Sequence, residues 1–516
     1  MAGSGQISSP SRHRSTVPWA VLVFVALTAA LGACTSDGDA AGTDSAAEAA
    51  DSDDSATSGA DNSDRPELGR LVERPCDTAA ELPPVECYWF EVPERRDVPD
   101  AATIRLWVAV VEGHGPAASD PVLFDLTGGP GDAASPPWVH GIEFGDEGAP
   151  TMVVIDQRGT GRSQPRLACP ELDTLPAATE PYADQVAAHR DAAAACRDRL
   201  EEGGVDLAGY DTVESAADIV ELRRALDLDP VVVRGFSYGG RLAIEVARQD
   251  PDGVAGLLLD STSTTGPWTL QEVVDGADES VARLDAACAA APDCAVHGSF
   301  SSNLERAAQV LDEQPYTVQP SGRVVDGAVL RWGMFQAMYD EDLVAVIPSA
   351  VASLANGQTE LLDAFAGDLE APPQDDIDGP AAGTFRVVSC ADEGGDALTE
   401  DAEVLSDPGV WSQLVLGHSG WCEVWGVDDA GLADASGDMP VLALVGEMDP
   451  VHPLAFTEEA VAGFTNVTIV LVPGGAHGVS FSNDCTASIS QAFLADPDAP
   501  LDTSCVEQLP PAFATS

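Results

Sequence analysis

Residues 231–240 read Val-Val-Val-Arg-Gly-Phe-Ser-Tyr-Gly-Gly. Three β-branched residues lead into a Gly-x-Ser-x-Gly motif, and the segment that follows, residues 241–248, has helical character. The pattern predicts a strand, a sharp turn and a helix, with Ser237 at the turn. Glycines at 235 and 239 let strand and helix pass closely, so the turn lifts the Ser237 hydroxyl above a sheet, where a base can reach it.

Strand-like and helix-like segments alternate on both sides of this motif. A helix is predicted over residues 215–226, just before the serine strand. Further strands are predicted over residues 87–92, 104–111, 121–126, 151–155, 254–259, 441–445 and 467–472. Such alternation predicts an α/β fold with a mostly parallel central sheet and helices on both faces.

The pattern turns helical between residues 266 and 385. Helices are predicted over residues 273–290, 302–313, 327–340 and 342–354. Proline and glycine at 372–373 and 379–380 mark the end of this region. We therefore predict a helical lid, residues 266–385, inserted between two parts of the sheet domain, residues 68–265 and 386–516.

A serine hydroxyl needs a base to take its proton before it can act as a nucleophile. Asp449 follows the predicted strand 441–445, and His477 follows the last predicted strand. Ser237, Asp449 and His477 therefore occur in the chain order of an α/β-hydrolase triad, in which His477 is the base and Asp449 orients it. His452 lies too near Asp449 to occupy an independent loop, so we assign it to the pocket wall or to no role.

The oxyanion of an acyl-transfer intermediate needs hydrogen-bond donors already in place. The backbone N–H of Tyr238 follows the nucleophile at the start of the predicted helix, where the helix dipole also favours negative charge. A second donor is expected from the loop after strand 121–126, where Gly128-Gly129-Pro130-Gly131 leaves the backbone uncovered.

Three motifs together resemble one family. Gly-Gly-Pro-Gly, then Asp-Gln-Arg-Gly-x-Gly-x-Ser from residue 156, then Gly-x-Ser-Tyr-Gly-Gly are similar to those of the proline-iminopeptidase group of α/β-hydrolases. Within it, the chain most resembles the actinobacterial tripeptidyl aminopeptidase-like (TAP-like) secreted and lipoprotein hydrolases. The resemblance assigns the oxyanion hole to Gly129 and Tyr238, and it makes Asp156, Arg158 and Gly161 loop-shaping residues.

The resemblance implies that a serine hydrolase releases short peptides from a free N-terminus, without a cofactor. Two departures, Thr127 where the family has histidine and His452 where it often has a smaller residue, concern the substrate pocket. The motif Cys-Ala-Asp-Glu resembles a family feature and makes Asp392 or Glu393 a candidate anchor for the substrate's α-ammonium, although either carboxylate could equally be structural. A carboxylesterase or lipase-like hydrolase with the same triad is the alternative, and a protein retained only for binding is a third.

The N-terminus predicts export. Arg12 and Arg14 precede an apolar run over residues 17–31 that ends in Leu-Gly-Ala-Cys, which resembles a bacterial lipobox. We predict a signal peptide over residues 1–33, lipidation of Cys34 and an acidic disordered tether over residues 34–67. The expected location is the outer face of the cytoplasmic membrane, held by the lipid anchor alone; ordinary secretion is the alternative.

Ten cysteines remain after Cys34, and an even number in an exported chain indicates disulfides. Sequence does not fix their connectivity, but their spacing favours pairing between neighbours. The predicted pairs are Cys76–Cys87, Cys169–Cys196, Cys288–Cys294, Cys390–Cys422 and Cys485–Cys505. None of them has the spacing of a zinc site, so no metal is expected.

The net charge is −62, and all 24 basic residues are arginines. Such an acidic surface repels nucleic acid and anionic lipid headgroups, so neither is an expected partner. We expect a monomer that acts on a small peptide or ester.

Overall fold

A nine-stranded sheet runs through the part of the chain that the computed structural model describes. All of it lies within one compact unit, Pro66–Ser516. The predicted signal peptide, Cys34 and the predicted tether lie outside the described residues. The described ranges are 69–76, 85–114, 121–134, 149–175, 180–266, 269–319, 321–365, 374–393, 404, 409–418, 421–510 and 512–513.

The strands follow one another in the order β1–β2–β3–β5–β4–β6–β7–β10–β11 across the sheet, and β8 and β9 form a separate small hairpin. The pairs β1–β2, β2–β3 and β3–β5 are antiparallel. The six strands β5, β4, β6, β7, β10 and β11 are parallel to one another. Their bounds are β1 (Arg70–Arg74), β2 (Val85–Pro93), β3 (Thr103–Val111), β4 (Leu123–Leu126), β5 (Met152–Asp156), β6 (Val231–Phe236), β7 (Val254–Asp260), β8 (Tyr316–Thr317), β9 (Val324–Val325), β10 (Gly437–Gly446) and β11 (Phe464–Val472).

The apolar strand β6 lies in the middle of the sheet, and both of its faces are covered. Val231 and Val233 belong to the core cluster on one face, while Val232 belongs to the cluster on the other face, together with Phe493 and Leu494. A strand buried on both sides needs an unbroken apolar run, which is what its sequence provides. The predicted α/β fold with a mostly parallel sheet is confirmed.

Helices cover both faces of the sheet and build the lid. Their bounds are α1 (Tyr182–Glu202), α2 (Thr212–Ala225), α3 (Tyr238–Gln249), α4 (Leu270–Ala290), α5 (Pro292–Ala295), α6 (Phe300–Glu313), α7 (Gly327–Ala337), α8 (Glu341–Ala355), α9 (Ala382–Asp392), α10 (Ser412–His418), α11 (Cys422–Trp425), α12 (Leu454–Ala460) and α13 (Asp484–Ala495). Within the described ranges, none of these helices is long and apolar enough to cross a membrane.

Helices α4 to α8 and the β8–β9 hairpin lie between β7 and α9. α4 begins three residues before its predicted start, because Thr269 and Glu272 form a capping box that satisfies the first backbone N–H groups. The lid has its own apolar core, which also includes Met448 and Ala476 from loops after β10 and β11. The predicted end of the lid, residue 385, lies inside helix α9 and not between two elements.

Five disulfides each join one cysteine to the next cysteine along the described chain. The longest closed loop belongs to Cys390–Cys422, which ties α9 to α11, and the shortest belongs to Cys288–Cys294, which ties α4 to α5. The remaining pairs are Cys76–Cys87, Cys169–Cys196 and Cys485–Cys505.

Candidate active site

Ser237 occupies the turn between β6 and α3. Its φ of 56° and ψ of −125° are strained for a residue with a side chain. The turn can close because residues 235 and 239 are glycines. A Cβ atom on Gly235 would overlap the Gly239 carbonyl, and a Cβ on Gly239 would overlap the Leu126 carbonyl. The Ser237 N–H donates to the carbonyl oxygen of Asp260 at 3.0 Å, which fixes the turn to the adjacent strand β7.

The glycine loop after β4 lies directly against Ser237. A Cβ atom on Gly128 would lie 2.8 Å from Ser237 Cβ and 3.2 Å from Oγ. Gly129 has a φ of 107°, a conformation that favours glycine. Tyr238 is the first residue of α3, and the first N–H groups of a helix have no acceptor within it. The two predicted oxyanion-hole segments therefore flank the serine.

Asp449 lies in the loop after β10 and is fully buried. Its Oδ1 accepts hydrogen bonds from the backbone N–H groups of Val451 and His452, each at 2.9 Å. Its Oδ2 lies 2.9 Å from Nδ1 of His477. Burial alone would raise the pKa of Asp449, but the imidazole and the backbone donors outweigh burial and lower it.

His477 follows β11 and approaches the serine turn. Its ring packs against Phe236, the residue before Ser237, with centroids 5.0 Å apart, and against Tyr339 from the lid at 4.9 Å. Its backbone N–H donates to the Tyr339 carbonyl at 3.3 Å. Burial lowers the pKa of His477, but the Asp449 carboxylate and its hydrogen bond raise the pKa above its usual value. The structure thus brings Asp449, His477 and the serine turn together.

His452 is a buried neighbour of this pair. Its ring centroid lies 5.3 Å from that of His477, and its Nδ1 lies 2.7 Å from the carbonyl oxygen of Ser261. Burial, followed by the nearby His477, lowers the pKa of His452 to about 4. A ring of such low pKa is neutral near pH 7, and its placement beside His477 leaves its role in the pocket wall a prediction.

Asp260, which the sequence analysis does not single out, holds the histidine loop. Its carboxylate accepts from Val479 N at 2.7 Å and Ser480 N at 3.2 Å, just after His477. Arg234, on β6, lies 3.2 Å from the same carboxylate and 3.1 Å from that of Asp125. Asp260 could have been found from the sequence as a polar residue at the carboxyl end of a parallel strand. Loops at that edge carry the functional groups of such sheets.

Asp392 and Glu393, the predicted amine anchors, face inward. Nη1 of Arg241 lies 3.4 Å from Asp392 and 2.6 Å from Glu393, and all three residues are less than 9% exposed. The Thr212 hydroxyl donates to Asp392 at 2.6 Å and lies 2.6 Å from the Tyr238 hydroxyl. This buried network fastens α9 to α3 behind the serine turn, and Arg241 already compensates both carboxylates.

The Asp-Gln-Arg-Gly motif supports the loop beside the site. The carboxylate of Asp156 accepts from the backbone of Ala134 at 2.8 Å and of Arg162 at 2.7 Å. Burial raises the pKa of Asp156 to about 6. Arg158 is buried and forms two hydrogen bonds to Asp218, at 2.8 and 2.7 Å. These contacts join the loop after β5 to the glycine loop and to α2.

Metal-ligand atoms converge at one place within the described ranges, on Cys169, Glu171 and Cys196. The two sulfur atoms are bonded to each other in a disulfide, so neither is available there as the thiolate that a metal requires.

Comparisons with known proteins place the chain in a family. Residues 121–311 match the family model described as alpha/beta hydrolase fold, and residues 409–505 match the one described as TAP-like protein. The chain is 29% identical over 140 residues to a probable proline iminopeptidase of Streptomyces coelicolor, which is 27% of this chain and 32% of that protein. The match therefore spans about a third of the curated relative's length.

Two solved structures are similar to this chain at low sequence identity. Proline iminopeptidase of Mycobacterium smegmatis is 18% identical, with 80% of this chain and 98% of that chain covered and a TM-score of 0.36. A thermophilic esterase of Thermogutta terrifontis is 15% identical, with 78% and 96% covered and a TM-score of 0.35. The two family matches and the curated relative agree with the serine turn and the parallel sheet. The chain therefore belongs to the TAP-like α/β hydrolases.

Proposed function

We propose that this protein is a serine hydrolase that forms an acyl-enzyme on Ser237. The observation that carries the proposal is the 2.9 Å contact between Asp449 Oδ2 and His477 Nδ1, on a ring that packs beside the serine turn. With Nδ1–H donating to the carboxylate, the lone pair of His477 is on Nε2, the nitrogen that can accept the serine proton.

The proposed reaction has two halves. His477 takes the proton of Ser237 as Oγ attacks the substrate carbonyl, and the resulting imidazolium protonates the leaving group. Water then attacks the acyl-enzyme, with His477 again as the base. Asp449 stabilises the imidazolium, and the backbone N–H groups of Gly129 and Tyr238 are the donors that we assign to the oxyanion.

The substrate that we propose is a short peptide with a free N-terminus, from which the enzyme releases an N-terminal piece. The TAP-like match over residues 409–505 and the relative named a probable proline iminopeptidase support this class of substrate. An ester would form the same acyl-enzyme, so a carboxylesterase with this triad is the alternative.

We further propose that the protein is exported and anchored through lipidated Cys34, and that no metal or cofactor takes part in the reaction. The five disulfides support an oxidising compartment, where such bonds form and persist.

A fluorophosphonate probe tests the nucleophile, because it reacts with an activated serine. Wild-type protein is expected to be labelled at Ser237, and Ser237→Ala to remain unlabelled and inactive. An alanyl peptide amide and its N-acetylated form then test the substrate. Cleavage of the free-amine form alone supports the aminopeptidase, whereas hydrolysis of simple esters with neither peptide cleaved supports the esterase. An unlabelled wild-type protein would contradict both.

A further inference from the structure

A carboxylate lies in the loop that borders the proposed oxyanion hole. Asp132 follows Gly129 by three residues, and a Cβ atom on Gly129 would lie 3.4 Å from Asp132 Cγ. The adjacent Gly128 faces Ser237, with its Cβ position 3.2 Å from Oγ. The Cβ position of Gly128 thus points to the nucleophile, and that of Gly129 points to the Asp132 carboxyl group. The carboxyl group is therefore next to the place where a substrate carbonyl is expected.

The Asp132 carboxylate has no hydrogen-bond donor among the described residues, and the residue is partly buried. Burial raises the pKa of Asp132, and the nearby His477 lowers it. The carboxylate in turn raises the pKa values of His477 and Tyr339. An uncompensated carboxylate in such a position is costly unless a cation or donor meets it.

Four other carboxylates near the serine turn have partners among the described residues. Asp392 and Glu393 pair with Arg241, Asp449 with His477, and Asp260 with Arg234. Among these five carboxylates of the described ranges, Asp132 is the one without a protein partner, so it can meet a cation from outside.

We propose that Asp132 binds the α-ammonium group of the substrate's N-terminus. This inference rests on the proposed function, since it takes an acyl-enzyme on Ser237 as given. A bare negative charge beside the oxyanion hole opposes the negative charge that develops on the substrate carbonyl. A substrate ammonium on Asp132 removes that opposition and is held by a charge-assisted hydrogen bond. Substrates with a free amine close to the scissile carbonyl should therefore have a higher kcat/KM than acylated or amine-free substrates.

The benzyl esters of alanine and of propionic acid test the inference, because they differ only in the α-amino group. Their kcat/KM values are measured near pH 7 for wild type, Asp132→Asn, Asp132→Glu and a control, Asp438→Asn, which removes an exposed carboxylate. The final extent of fluorophosphonate labelling of Ser237 normalises each sample for intact sites. The ratio of alanyl to propionyl activity is expected to fall by about 10- to 100-fold in Asp132→Asn, as expected for the loss of a charged partner. The ratio should recover in part in Asp132→Glu and stay unchanged in Asp438→Asn.

Three results would overturn the inference. If Asp132→Asn left both kcat/KM values unchanged, the carboxylate would not meet the amine. If both values fell by the same factor, Asp132 would act only through its charge near His477. A wild-type enzyme that labels at Ser237 and prefers the propionyl ester would leave the serine hydrolase in place and refute the amine site. Failure of wild type to label or to hydrolyse either ester would instead refute the proposed function, and this inference with it.

Discussion

The carboxylate of Asp260 lies 2.7 Å from the backbone nitrogen of Val479, two residues after His477. The backbone carbonyl of Asp260 also accepts the N–H of Ser237 at 3.0 Å. One residue at the end of β7 therefore connects the serine turn to the histidine loop. These two segments are separated by more than two hundred residues of chain, so their relative position depends on this strand end.

Asp260→Asn is expected to lower kcat by about 10- to 100-fold with little change in KM. An asparagine replaces one acceptor oxygen with an N–H donor, which would face backbone donors and shift the histidine loop, and small displacements of catalytic groups cost this much. Steady-state kinetics provide the measurement. Asp125→Asn is the matched control, because it removes the other carboxylate that contacts Arg234. Equal losses in both variants would indicate damage to the buried ion pairs alone.

The central features of the fold, and the closeness of Asp449 and His477 to the serine turn, could be predicted from the sequence because they are local or topological. β6, the serine turn and α3 are specified by ten consecutive residues. Asp449 and His477 each follow a strand, and parallel strands place such ends at one edge of the sheet. The TAP-like family predicted from these motifs is confirmed by the family matches.

Other features depend on long-range pairing, which local patterns do not encode. Asp392 and Glu393 meet Arg241, about 150 positions away, and nothing in their local sequence indicates that partner. Helix α1 is rich in alanine and has no clear apolar stripe, so periodicity does not predict it. β1 is short and half exposed at the sheet edge, which leaves little apolar signal.

The pH dependence of kcat/KM reports the base. His477 must be neutral to accept the serine proton, so activity falls as the pH falls through its pKa. Because that pKa is raised, the acid limb is expected at a higher pH than for a free imidazole. Asp449→Asn removes the raising charge, so the limb should move to lower pH while kcat falls by about 10⁴-fold. Profiles of wild type and variant check both effects, and an unmoved limb would exclude His477 as the titrating base.

His452→Gln distinguishes the two neighbouring histidines. Since the pKa of His452 is about 4, its ring is already neutral at the pH of the assay, and its loss removes no base. We expect kcat to fall by less than about 10-fold and the acid limb to stay in place. His477→Ala should instead reduce kcat by about four to six orders of magnitude. The two variants are compared by burst kinetics, and a larger loss in His452→Gln would reverse the assignment.

The disulfides are expected to stabilise the fold more when the loop that they close is longer, although only with the logarithm of its length. Cys390 and Cys422 are 32 positions apart, whereas Cys288 and Cys294 are only 6 apart. Loop-closure entropy then gives about 4 kcal/mol for the first bond and about 2 kcal/mol for the second. Paired Cys→Ala variants should show this order in their urea midpoints. The opposite order would mean that local packing, and not closure of the loop, sets their contribution.

Gly128→Ala tests how closely the glycine loop must approach the nucleophile. The added methyl group would lie 2.8 Å from Ser237 Cβ, closer than carbon atoms pack, so either the loop or the serine must move. A displacement of this size is expected to lower kcat/KM by about 100-fold and to slow fluorophosphonate labelling. Gly276→Ala, within α4, is the matched control, because its methyl group meets no atom within 4 Å. It should leave activity unchanged and stabilise the helix by up to about 1 kcal/mol. If Gly128→Ala retained wild-type kinetics, the loop would have room to withdraw, and its assignment to the oxyanion hole would fail.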